Sequence, residues 1–267
     1  MAITALHSAA TGMKAMDTKL DVIANNLANA NTVGFKGSRA NFEDLMYEER
    51  RQPGTINSQG QISSAGLFIG LGTRISNTQL DLRQGSPEDT GRPLDVAISG
   101  AGFFKVQTFD SIGGGEAYTR DGNFIINNVG QLVLGTADGP ILDPPITLPE
   151  GYESLTIESD GRISVVVEGE AVDTGQQIQL FKFANPYGLS QAGSNLFTET
   201  EASGPATQGN PRDAGYGGLL QNYLESSNVD AVRELVGMIR TQRNFEMNSQ
   251  SIKAADEVMQ VIGRLRS

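Results

Sequence analysis

The chain has 267 residues, no Cys or Trp, and one His, His7, which excludes disulfides, thiolate chemistry and cysteine or two-His metal sites. Its net charge of −11 lies entirely in the middle, where residues 47–222 hold 10 basic and 21 acidic side chains while both ends are balanced. That excess repels nucleic-acid phosphates and anionic membrane surfaces.

The first 30 residues read as a helix. Leu6, Met13, Leu20 and Leu27 recur every seven residues, and Ala9, Met16, Ile23 and Ala30 follow each by three. This 3–4 spacing is the seam of a coiled coil. Asn26 and Asn31 flank the seam, where an amide side chain can set the register between subunits. Asn31-Thr32-Val33-Gly34 ends the helix, with Gly34 suited to a left-handed position. The start, MAITALHSAATGMKAMD, lacks the basic and apolar regions of a cleaved signal. No run approaches the ~18–20 apolar residues of a membrane span, so no direct membrane insertion is expected.

Tyr47–Gly85 and Gly204–Gly218 are rich in Gly, Ser, Gln and Pro, and residues 35–92 and 203–225 read as an extended connector region around them. Between them, residues 93–202 change to a period of two. Leu94, Val96 and Ile98 alternate with polar or small residues, Phe103-Phe104-Lys105-Val106 follows, and Ile163, Val165, Val167, Ile178 and Leu180 continue the pattern. Asp121-Gly122, Asn128-Val129-Gly130 and Asp160-Gly161 stand between apolar runs, as hairpin turns do. This is a β domain.

The last stretch repeats the design of the first. Met238, Phe245, Ile252 and Met259 are seven apart and Thr241, Asn248, Ala255 and Ile262 accompany them, while Val229, Val232, Val236 and Ile239 form a second stripe. Ser226-Ser227-Asn228 offers capping chemistry at the start. The fold class expected is α+β: residues 1–34 and 226–267 form a discontinuous coiled-coil-like domain, and a central all-β domain lies between them. One buried stripe per helix does not offset the entropy of ordering such long segments, so further faces must find partners among neighbouring copies.

Three motifs carry a family resemblance. The N-terminal one is Ala9-Ala10-Thr11-Gly12-Met13 followed by Leu20-Asp21-Val22-Ile23-Ala24-Asn25-Asn26-Leu27 and, after a short gap, Gly34-Phe35-Lys36. The middle one is Arg92-Pro93-Leu94-Asp95-Val96-Ala97-Ile98 with Tyr118-Thr119-Arg120-Asp121-Gly122-Asn123-Phe124. The C-terminal one is Tyr223-Leu224-Glu225-Ser226-Ser227-Asn228-Val229-Asp230. Together they resemble the flagellar rod and hook family. The stretch Tyr47-Glu48-Glu49-Arg50-Arg51-Gln52-Pro53-Gly54 is similar to one that marks the distal-rod members; a proximal-rod or hook subunit is the alternative.

The resemblance implies a structural homopolymer in the basal body, spanning periplasm to outer membrane. It implies export by the flagellar type III apparatus and proximal-rod, hook, P-ring and L-ring proteins as neighbours. It implies no enzymatic activity, cofactor, metal or nucleic acid. Subunit contacts are expected at Leu6, Met13, Met16, Leu20, Ile23, Asn26, Leu27, Met238, Phe245, Ile252, Met259 and Ile262. Rod stiffening is expected from Tyr47, Arg50, Arg51, Gln52, Pro53 and Gly54, within a stretch running to Ser63. An enzyme acting on the cell wall is the rival from another class, yet no carboxylate pair stands out among the 31 acidic residues. Gly70-Leu71-Gly72 and Gly113-Gly114-Gly115 lack the frame of a nucleotide loop and read as turns or connectors.

Overall fold

A computed structural model describes residues 2–54, 64–109 and 111–266. The chain divides into two units, one of residues 1–28, 38–80 and 230–267, the other of residues 29–37 and 81–229. Helices frame the first and strands fill the second, an α+β architecture.

The helical unit contains α1 (Ala2–Ala28), β1 (Ser38–Asp44), β2 (Tyr47–Arg51), β3 (Leu67–Gly70), β4 (Thr73–Leu80) and α2 (Ala231–Arg266). At 1.5 Å per residue, α1 is about 40 Å long and α2 about 54 Å. β1 pairs antiparallel with β4 and β2 with β3. The bonds Leu45 N–H to Gly72 O (2.9 Å) and Leu71 N–H to Met46 O (3.1 Å) join the two pairs into one ribbon. The stretch expected as a connector is thus largely strand. Its β2 residues are exposed on both faces, so they leave no alternating pattern to read.

α2 begins at Ala231, three residues beyond the segment expected to cap it. The Asp230 carboxylate accepts the N–H groups of Val232 (3.0 Å) and Arg233 (3.1 Å), which satisfies donors that a first turn leaves open. Asn228 is engaged elsewhere, within the β unit: it accepts from Gly37 N–H at 2.9 Å and donates to Asp81 O at 2.6 Å.

In the β unit, the largest sheet has seven strands among the described residues. Their order is 190–193, 196–198, 116–119, 104–107, 141–143, 132–134, 124–126. A three-stranded sheet of residues 154–157, 162–167 and 170–177 accompanies it, and residues 218–221 pair with 96–99. The alternating residues named above supply the core: Val96, Ile98, Phe104, Val106, Ile163, Val165, Ile178 and Leu180 are all buried.

Two of the three expected turns do join paired strands. Asn128-Val129-Gly130 links 124–126 to 132–134, and Asp160-Gly161 links 154–157 to 162–167. Asp121-Gly122 does not, because 116–119 and 124–126 lie apart in the large sheet. Asp121 is instead buried, accepting Asn123 N–H at 3.0 Å, and burial raises its carboxyl above the usual aspartate range.

Candidate assembly surface

α1 and α2 are antiparallel in one constant register. A side chain at Gly12 would meet Asn248, one at Gly237 would meet Ile23, and Asn26 bonds Glu234. The buried positions on α1 are Ala9, Gly12, Ala15, Ile23 and Asn26. Opposite them on α2, Glu234, Gly237, Met238, Thr241, Asn248, Ile252 and Ala255 are buried or half-buried, at 3–4 spacing. Small residues let the helix backbones approach closely. The seam therefore closes on glycine, alanine and threonine more than on the large side chains that mark it in the sequence.

Those large side chains occupy the flanks and the far end. Leu6, Met13, Met16, Leu20 and Leu27 are half-buried, as are Met238 and Ile252, and only Ile23 is fully enclosed. Phe245 and Met259 are exposed. The side chain of Ile262 lies outside the described residues.

Asn26, expected at a subunit contact, has bonds within its own chain. It is buried within its own chain, where Nδ2 donates to Ser38 O (2.7 Å) and Glu234 Oε1 (3.2 Å) and Oδ1 accepts Ser38 N–H (2.9 Å). These bonds join α1, α2 and the start of β1. An amide at this point matches one donor and one acceptor of a strand terminus, which no apolar seam residue does.

The opposite face of α2 is open and carries exposed apolar side chains, densest over its first turns, with Arg243, Glu246 and Gln250 interrupting them further on. Val232 (72% exposed), Leu235, Val236, Ile239, Met247, Val258 and Val261 all project there. At 100° per residue their positions centre about half a turn from the seam, so α2 carries an exposed apolar cluster at Val232, Leu235, Val236 and Ile239 on the side away from it, with Met247, Val258 and Val261 more widely spaced beyond.

The ribbon adds a second open surface. Met46, Tyr47, Leu67 and Phe68 are exposed large apolar residues at β2 and β3. Arg50, Arg51, Gln52, Pro53 and Gly54 are exposed beside them. Arg50 pairs with Glu48 at 3.4 Å, and Arg51 donates to Ala65 O at 3.4 Å. Residues 55–63, the remainder of the expected stiffening stretch, lie outside the described residues. α1 grips this ribbon by polar contacts: Ser8 Oγ donates to Gly70 O (3.3 Å), and Thr11 Oγ1 accepts Thr73 N–H (3.4 Å).

One further site draws one residue from each of the three motifs, a union that no spacing in the sequence signals. In the β unit Glu225 holds two cations at once, Lys36 through one carboxylate oxygen and Arg120 through the other at 3.2 Å. All three are buried. Gly85 N–H donates to Glu225 at 2.9 Å, Lys36 Nζ to Arg83 O at 2.8 Å, and Arg120 Nη2 to Gly100 O at 2.8 Å. Burial lowers the pKa of both Lys36 and Arg120, and Glu225 opposes that shift. The cluster fixes the segment that follows α1 and the segment that precedes α2 onto the β core. It offers positioning and no reactive geometry.

A paired-helix seam with exposed apolar side chains outside it is the candidate assembly surface of a structural subunit. Comparison with known proteins gives that class a family. Residues 6–36 match the flagella basal body rod protein family, residues 97–165 the flagellar hook protein FlgE/F/G D1 domain, and residues 220–265 the flagellar basal body rod FlgEFG protein C-terminal family. Lys36, Arg120 and Glu225 fall one in each match.

Full-length relatives include the flagellar basal-body rod protein FlgG of Caulobacter vibrioides, 44% identical over 98% of this chain and 99% of the relative. Those of Borreliella burgdorferi (98% of each chain) and Bacillus subtilis (99% of each) are both 42% identical. The chain belongs to the flagellar basal-body rod family, as a structural subunit. Its full-length relatives of that name set it with the distal-rod type.

Proposed function

We propose that copies of this chain polymerise into the distal shaft of the rod and transmit motor torque to the hook. The observation that carries the reading is the exposed apolar cluster of Val232, Leu235, Val236 and Ile239 on α2, which the chain's own seam leaves uncovered. A cluster of exposed large apolar side chains of this kind marks an interaction site. A head-to-tail contact whose rotation does not close builds a helical filament. Neighbouring copies are the partner that a homopolymer supplies at every turn, and the seam flanks Leu6, Met13, Met16, Leu20 and Leu27 lie beside the paired helices to receive them. Tyr47, Leu67 and Phe68 on the ribbon brace adjacent copies, which stiffens the shaft.

The wider reading follows from the family. The shaft runs from periplasm to outer membrane, with proximal-rod proteins below, the hook protein above and the P- and L-ring proteins around it. The chain reaches it through the type III export apparatus. No catalytic step, cofactor, nucleic acid or membrane insertion enters this function.

The test is Val236→Glu combined with Ile239→Glu, two exposed positions in that cluster. Electron microscopy and sedimentation of the purified variant are expected to find no filaments, while its thermal unfolding as a monomer matches wild type. Filaments at wild-type yield would overturn the proposal.

A further inference from the structure

The β unit holds 20 carboxylates in its sequence against eight lysines and arginines. Three of those eight, Lys36, Arg120 and Lys182, line a single cavity of about 300 Å³. No carboxylate lines it among the described residues, and Leu82, Phe103 and Phe183 form part of its wall.

The local charge is out of balance. Glu225 is the one carboxylate bonded to both Lys36 and Arg120, and Asp81, which also acts on Lys36, is itself paired with Arg83. Lys182 donates to Gly215 O at 2.9 Å and sits 5.5 Å from the centre of the Tyr216 ring. Arg120 stacks over Phe103 at 5.3 Å, and its buried Nε has no hydrogen-bond partner among the described residues. Cations short of a counter-charge in a poorly solvated site are held at a cost, and an incoming anion relieves it.

We infer that this cavity receives a carboxylate side chain from a second copy of the chain in the assembled rod. The inference rests on the polymer reading above and deepens it by naming one contact. Charge selects the occupant: the surface of a sister β unit is dominated by acidic residues, among them the exposed Glu168, Glu170 and Asp173. A glutamate has both an apolar stem for the phenylalanine wall and an anionic head for a charge-assisted bond to Lys182.

The experiment uses filaments assembled from a mixture of 14N- and 15N-labelled full-length chains. A carbodiimide joins a lysine amine to a carboxylate that touches it, and mass spectrometry then reads which copies contributed. Lys182 joined to a carboxylate of the differently labelled copy is the expected result. Lys182 left unlinked between copies, while other lysines do link, overturns the inference; a cavity filled by a buffer carboxylate gives that same overturning result.

Lys182→Gln supplies the second measurement. It is expected to raise the concentration needed for assembly about tenfold under conditions where the variant monomer is fully folded, and an unchanged threshold overturns the inference. Wild-type chains that form no filament at all overturn the polymer reading together with this one, which separates that failure from the others.

Discussion

Lys36 and Glu225 form an ion pair with each side chain 1% exposed, although 189 positions separate them in the chain. Arg120 completes the cluster from a third region. Removing the shared anion strands two buried cations, so Glu225→Gln is expected to destabilise the fold by about 3–5 kcal/mol. Lys36→Met leaves Glu225 still paired with Arg120 and costs less. Urea unfolding of the two single variants and the double variant measures the coupling; costs that simply add would show that the pair does not act as a unit.

Asn26 makes its contacts inside one chain, and the expected consequence is a loss of stability that does not depend on concentration. Asn26→Ala leaves the Ser38 backbone groups and Glu234 short of partners in a buried place, at about 1–3 kcal/mol. The check is thermal unfolding at two protein concentrations well below assembly. A variant as stable as wild type in the monomer but defective in filament formation would return Asn26 to the subunit contact.

The legible features of this fold are those with a short-range pattern. α1 and α2 announce themselves by heptad spacing, and the core strands around Val96 and Ile163 by alternation. Spacing does not say how closely two helices approach, so the burial of Gly12 and Ala9 ahead of Leu6 and Met13 had no signal in the sequence. The stripe through Val232, Val236 and Ile239 was visible as a stripe, but periodicity alone cannot say that it points away from the seam. Tyr47–Arg51 lacks alternation because neither face is covered, and composition made it look like a connector. The Lys36–Glu225–Arg120 cluster is formed by residues far apart in sequence, each already explained by its own motif.

Gly72 packs against α1 at Ser8 and Thr11. Its φ of +114° lies in the region open to glycine. A Cβ there would stand 2.1 Å from Thr11 Oγ1 and 3.1 Å from the Ser8 backbone. Gly72→Ala combines backbone strain with a clash against a helix, so a loss of about 2 kcal/mol or more is expected. Gly54→Ala is the comparison, since its φ of +83° carries similar strain but nothing lies within 4 Å. Hydrogen exchange in α1 should accelerate in the Gly72 variant alone; equal behaviour of the two would remove the packing term.

Tyr118 gives the alkaline limit of the β unit. Burial pushes its hydroxyl from 10.0 up to about 12, among Phe181 and Phe183. The native state therefore keeps this proton where the unfolded chain releases it. Below pH 10 its contribution is fully present; it is lost as pH rises from about 10 through about 12. The Asp44 carboxylate also raises Tyr47, but that residue is exposed and solvent screens its effect. Tyr118→Phe cannot ionise, so stability measured from pH 9 to pH 12 should fall less steeply than in wild type. The absorbance titration of the six tyrosines should lose its latest step in the variant. Parallel stability curves for the two proteins would place the hydroxyl in contact with water and refute its burial.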